Sequence, residues 1–236
     1  MYERASRILQ DVNETRLEVA RFASEPQGVV NLAFPPSISK NLANPFLEKC
    51  QKTLPGISLQ MVEGWTGHIL DWLLADRCDL GILYASQTHD RLVSTPFITQ
   101  DLYIITSGQK GGGRDKDRFT LSEVAELPLI IPTHPHGLRL LIDQVFEELG
   151  ITPKIAFEAE VWSVIKEKVQ AGKAYTLLPP CEVQAEIEDG RLACIPIEPP
   201  GIQRTLCVAH CRDKQLLPEV DMIAKLIHRE APDYFI

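Results

Sequence analysis

The sequence predicts an α/β protein built of two Rossmann-like subdomains joined by a hinge of two crossover strands, and three observations predict it. A strand–helix rhythm runs along the chain twice, which implies parallel sheets with right-handed crossovers. The two runs resemble each other, PGISLQMVEGWTGHILDWLLADRCDLGIL against TPKIAFEAEVWSVIKEKVQAGKAYTLL, each with a strand ending in an acidic residue followed by Trp and a helix. Further strand-like stretches lie between and after the runs. If the second lobe is inserted into the first, the chain crosses near Thr106–Gln109 and again near Gly201–Arg204. Paired crossings make a hinge of the kind that closes two lobes around a ligand.

The opening segment carries a heptad-like seam at Ala5, Ile8, Val12, Thr15, Val19 and Phe22, at alternating steps of three and four. That spacing suits either a helix lying along a partner helix or an amphipathic helix packed on its own domain. Val29–Phe34 reads as a strand, and the Pro35-Pro36-Ser37 turn opens a helix to about Thr53. Ile57–Val62 alternates as a strand, Ile69–Leu74 is helical and Asp79–Tyr84 extended. Leu92–Phe97 and Leu102–Ser107 are strands, followed by the loop Gly111-Gly112-Gly113-Arg114. The second run has strands at Leu129–Ile131, Ile155–Phe157 and Tyr175–Leu178, with helices at Leu138–Leu149 and Val161–Ala171. Leu192–Ile195, Arg204–His210 and a helix from Leu217 to about Arg229 complete the chain.

A length of 236 residues is ample for a buried core. The net charge of −8 and pI near 5.3 speak against a module that grips DNA by itself. No run of about 18 apolar residues is present to span a membrane, and the charged N-terminal segment lacks the apolar core of a signal peptide. A cytoplasmic protein is expected. The cysteines Cys50, Cys78, Cys181, Cys194, Cys207 and Cys211 then read as reduced core residues. Cys207, His210 and Cys211 lack a second ligand pair at zinc-site spacing, so neither metal nor cofactor is expected.

Ligands of parallel α/β sheets sit beyond the carboxyl ends of the strands. The strand-to-helix turns there hold Pro36 and Ser37; Trp65, Thr66 and Gly67; Thr133, His134, His136, Gly137 and Leu138; and Trp162. Each opens a helix whose first N–H groups lack internal partners, which favours an anion. Ser37 and Thr66 are placed to donate to a carboxylate or sulfate-like group, or to cap their own helices. Trp65 and Trp162 hold matching places in the two runs, either as walls of a cleft or as core residues of their lobes. His134 and His136 either attract an anion when protonated or are exposed loop residues. Arg139 either forks onto a carboxylate or solvates its helix. Asp71, Asp76 and Asp79 read as solvated. No nucleophile elbow, phosphate loop, dinucleotide fingerprint or His-Glu-x-x-His run appears, so the chain does not read as an enzyme.

The segments GVVNLAFPPSISKNLANPFLEKCQKTLPGISLQMVEGWTGHILDWLLADRCDLGILY, LVSTPFITQDLYIIT, LSEVAELPLIIPTHPHGLRLLIDQVFEELGITPKIAFEAE, VQAGKAYTLLPPCEV and GRLACIPI resemble, in order and spacing, the effector-binding domain of LysR-type transcriptional regulators. The resemblance implies a type 2 periplasmic-binding-protein-like fold with an effector in the cleft. It also implies a homodimer or homotetramer that controls transcription allosterically. Residues 1–25 would be the end of a dimerisation linker helix, 26–107 with 204–236 the first subdomain, and 108–203 the second. The winged helix-turn-helix of such regulators is not in this sequence, so DNA contact would belong to a domain ahead of it. The expected partner is a small-molecule effector, a carboxylate or inorganic anion. A solute-binding protein and a dehydratase-like enzyme on the same fold are the alternatives, the latter with Thr66 and His134 as its best catalytic pair.

Overall fold

The computed structural model describes residues 26–87, 89–109 and 116–235. The heptad-spaced segment 1–25 and the Gly111–Arg114 loop lie outside the described residues. β1 (Gly28–Phe34) leads into α1 (Pro36–Thr53), whose start suits its sequence. Pro35 is extended and Pro36 occupies the first turn, where its missing N–H has no partner to lose. Ile38, Leu42, Phe46 and Cys50 recur every fourth residue and are buried on one face. β2 (Ile57–Glu63), α2 (Thr66–Leu74) and β3 (Leu80–Tyr84) follow, and β1 pairs in parallel with both β2 and β3. All of β3 is buried. Gly81 lets α2 approach it, because a Cβ there would lie 2.6 Å from Ile69 Cγ2 and 2.9 Å from Leu73 Cδ1.

β4 (Leu92–Asp101) and β5 (Tyr103–Ser107) come next, then α3 (Leu121–Glu126), β6 (Leu129–Ile131) and α4 (Gly137–Glu148). β7 (Ile155–Glu158), α5 (Trp162–Gln170) and β8 (Thr176–Leu178) complete the second run. A 3₁₀ turn at Pro180–Glu182, α6 (Gln184–Glu188), β9 (Leu192–Ile195), β10 (Gln203–Cys211) and α7 (Pro218–Glu230) lead to a closing 3₁₀ turn at Ala231–Phe235.

One sheet has the order β2-β1-β3-β10-β4, with β10 antiparallel to β3 and β4. In the other lobe β7 and β6 pair in parallel, and β5 is antiparallel to β8 and β9. Leu129 and Tyr175 bridge β6 to the start of β8, and the Ile130 N–H donates to the Tyr175 carbonyl at 2.8 Å. The second lobe therefore runs β7-β6-β8-β5-β9, strand for strand the pattern of the first. The internal likeness in sequence is a likeness in topology.

The first crossing differs from the expected boundary at 107/108. Tyr103–Ile105 and Ile104–Ser107 are in register with β8 and β9 of the second lobe, so the chain leaves the first sheet at Leu102. The apolar run Leu102–Ser107 carries no mark of which sheet will claim its hydrogen bonds. The chain returns at Ile202, whose carbonyl accepts from the Leu102 N–H at 2.8 Å. Both crossings thus lie side by side and buried. Among the described residues no helix is long and apolar enough to cross a membrane.

α3 is not among the elements expected from periodicity, although its start is written plainly in the sequence. The Thr120 hydroxyl accepts from the Glu123 N–H at 3.2 Å while the Glu123 carboxylate accepts from the Thr120 N–H at 3.0 Å, a capping box. Thr120→Ala is expected to lower unfolding free energy by about 1 kcal/mol. Urea titration should show this as a lower midpoint at unchanged slope.

Candidate ligand-binding cleft

The lobes face each other across a cavity lined by Pro36, Ser37, Trp65, Tyr84, Pro132, His136, Leu138, Trp162, Ile165, Leu178 and Glu182. Of the residues expected from sequence, the cavity gathers Pro36, Ser37, Trp65, His136, Leu138 and Trp162. Trp65 and Trp162, matched in the two runs, wall one space. Both belong to helix starts without a side-chain cap: Trp65 is the N-cap of α2, and Trp162 opens α5 after Val161. The start of α1 is likewise uncapped by any side chain.

Thr66, Gly67, Thr133, His134 and Gly137 are not in the lining. Thr66 is fully buried, and its hydroxyl accepts from the Gly137 N–H at 2.9 Å, so one helix start of each lobe is tied to the other. Gly67 faces Pro135, 2.9 Å from where a Cβ would stand. Gly137 has still less room: a Cβ would lie 2.6 Å from both Gln87 Oε1 and the Tyr84 ring. The Thr133 hydroxyl donates to the Glu160 carboxylate. His134 is exposed and stands 2.9 Å from Asp143 Oδ2. Arg139, too, is committed within its lobe, to Asp143 at 2.8 and 3.0 Å and to Glu158.

His136 is neither exposed nor an anion attractor. It is 5% exposed, set edge-on to Trp65 and Tyr84 with centroids 5.2 and 5.9 Å away. Burial first, and the Arg204 charge second, push its pKa down to about 4. Its Nδ1 accepts from the Leu138 N–H at 3.1 Å, as a neutral ring can. At neutral pH it is an uncharged wall of the cleft.

The group that sequence reasoning missed lies at the cleft floor. Arg204, at the start of β10, is 0% exposed and meets Glu182, 1% exposed, from the opposite lobe. Its Nε and Nη2 donate to Gln100 Oε1 at 3.0 and 2.7 Å, and its Nη1 donates to the Tyr84 hydroxyl at 3.2 Å. The signal in β10 was partial. Arg204 shares a face with Leu206 and Val208, but Cys207 and Ala209 on the other face are buried as well, so the strand marks Arg204 as lying in a two-sided core without saying which partner it meets. Around this pair further polar contacts cross the cleft. Lys40 Nζ donates to the Glu182 carbonyl at 3.3 Å, Asn41 to the Cys181 carbonyl at 3.4 Å, and Gln87 to the Pro135 carbonyl at 3.4 Å.

A pair of α/β lobes hinged by adjacent crossings, with aromatic walls in the cleft between them, defines a ligand-clamping module. Residues 23–232 match the LysR substrate binding domain as a family. The chain belongs to that family, whose members are the ligand-sensing domains of LysR-type transcriptional regulators. It is 23% identical over 227 residues to the HTH-type transcriptional regulator BbuR of Bordetella bronchiseptica, covering 96% of this chain and 70% of that one. It is 26% identical over 234 residues to the HTH-type transcriptional regulator CbbR of Xanthobacter flavus, covering 97% and 68%. The effector binding domain of QuiR in complex with shikimate has the same fold, with a TM-score of 0.78 at 19% identity over 89% of this chain and 100% of that one.

Arg204→Met alone leaves Glu182 buried without its counter-charge and is expected to cost about 3–5 kcal/mol, whereas Arg204→Met with Glu182→Leu should recover most of it. Chemical denaturation of the single and double variants checks this. His136 gives a pH dependence of known sign. Between pH 6.5 and about 4 the unfolded chain takes up a proton that the folded ring refuses, so stability falls as pH falls through that window. The contribution is on the order of 3 kcal/mol. His136→Asn, which keeps a capping side chain, should flatten stability against pH by close to one proton across that range.

Proposed function

We propose that the cleft of this domain binds a small ring-bearing acid and that binding resets the angle between the lobes, which a homodimer or homotetramer passes to DNA-binding domains. One observation carries the reading. The cavity has about 20 Å³ of free space, room for one water, whereas a benzene-sized guest occupies a cavity on the order of 150 Å³. A ring therefore enters only as the lobes part, and its binding free energy is linked to their angle. A differential affinity of about 1–3 kcal/mol between lobe arrangements is enough for a useful response.

Trp65 and Trp162 supply flat apolar walls for the ring, with Leu138 and Ile165 filling the space beside them. The acid group is served by the uncapped helix starts, at Ser37 on α1 and at Trp162 on α5. Each terminus contributes about 0.3–1 kcal/mol toward a negative group. His136 adds shape rather than charge, and Thr66 and Gly137 act as the catch between lobes. QuiR's shikimate is a ring carboxylate, which makes that class the first to examine. The family relatives are transcriptional regulators, and the site residues bind and position rather than react.

A thermal-shift screen of shikimate, benzoates, other small carboxylates and sulfate is expected to return ring carboxylates ahead of sulfate, since a ligand of the folded state raises its stability. Trp65→Ala and Trp162→Ala should each weaken a hit by roughly tenfold or more through lost ring contact. Ser37→Trp, which fills the cleft, should abolish it. Affinity untouched by all three would remove the cleft from consideration.

A further inference from the structure

Glu182 is only half answered by the protein around it. It closes the 3₁₀ turn after β8, with Oε1 against the Arg204 guanidinium and Oε2 buried and accepting no hydrogen bond. Arg204 has little left to give. Nε and Nη2 are spent on Gln100, and Nη1 is shared between Tyr84 and the first carboxylate oxygen. Buried acceptors without a partner are rare in native proteins, and this one belongs to a residue that lines the cleft beside Trp65 and Trp162. Resting on the cleft reading above, we infer that Glu182 sets ligand specificity by accepting a hydrogen bond from a hydroxyl or amino group on the effector. The effector is then a ring acid that also bears an O–H or N–H donor, and a bare anion is a poor ligand.

Two features fit this assignment. Arg204 already balances the charge of Glu182, so a neutral hydroxyl suffices and no net cation is required. Arg204 is also fixed within its own lobe by Gln100 and Tyr84, so the Glu182 carboxylate has a defined counter-charge to return to when the lobes close on a ligand. A ligand whose donor is capped by methyl leaves a buried oxygen unpaired, and sites built to meet a donor reject such analogues far more strongly than apolar pockets reject a methylene.

The test is calorimetric titration of the full chain with matched pairs: 3,4-dihydroxybenzoate against 3,4-dimethoxybenzoate, and shikimate against its tri-O-methyl ether. The donor-bearing member of at least one pair is expected to bind wild type roughly tenfold tighter or better. That gap should close in Glu182→Leu with Arg204→Met, which removes acceptor and counter-charge together. It should partly survive in Glu182→Gln, whose amide oxygen still accepts; if the double variant fails to fold, a narrowed gap in Glu182→Gln supports the assignment in its place. Equal binding of both members, a gap unchanged by these substitutions, or no binding of any donor-bearing ring overturns the assignment. If Ser37→Trp still abolishes binding in the first two cases, the cleft stands and only the role of Glu182 falls. Binding indifferent to Ser37→Trp removes the cleft reading itself.

Discussion

The contact between Arg204 and Glu182 is the constraint around which the rest is arranged. Two fully desolvated charges from opposite lobes are costly to bury, and their mutual attraction offsets that cost only with good geometry and further hydrogen bonds. Gln100 and Tyr84 supply those bonds from β4 and β3. A buried pair of this kind contributes little net stability compared with apolar side chains of equal volume. What it does is register the lobes. Any relative displacement either strips the guanidinium from the carboxylate or demands that water or a ligand take its place.

The polar contacts ringing the pair are individually weak, and their arrangement matters more than their sum. Thr66 meets Gly137, Gln87 meets Pro135, and Lys40 and Asn41 meet the 3₁₀ turn. All join one lobe to the other beside the strand-to-helix turns, where the topology presents unsatisfied backbone groups. Helix starts that sequence alone offers to an anion are in part satisfied by the protein itself, through Thr66 and through the His136 ring. The starts of α1, α2 and α5 lack side-chain caps, and all three lie beside the cavity.

Most of the architecture was legible in the sequence because its cause is local. Apolar alternation and fourfold helical spacing placed β1, α1, β2 and β3, and the duplicated segments put Trp65 and Trp162 in matching places, where the structure has them line one cavity. What was illegible depended on partners remote in the chain. Tyr103–Ser107 reads as a strand in either lobe until β8 and β9 claim it. His136 sits on a turn that reads as exposed, yet Trp65 and Tyr84 enclose it. Glu182 follows consecutive prolines and reads as a loop carboxylate until Arg204 arrives from the other end of the chain. Arg204 precedes an apolar run buried on both faces of β10, which hints at burial but not at Glu182, whereas Thr120 betrayed α3 through its spacing from Glu123.

The side-by-side crossings have a mechanical consequence. Leu102 and Ile202 lie in adjacent extended segments joined by a backbone hydrogen bond, so the connector behaves as a narrow ribbon. A ribbon bends readily out of its own plane and twists, but it resists shear within that plane because shear would break the rung. Rotation of one lobe over the other is thereby restricted to a few directions, and whatever enters between them is translated into a turn of defined axis rather than a general loosening.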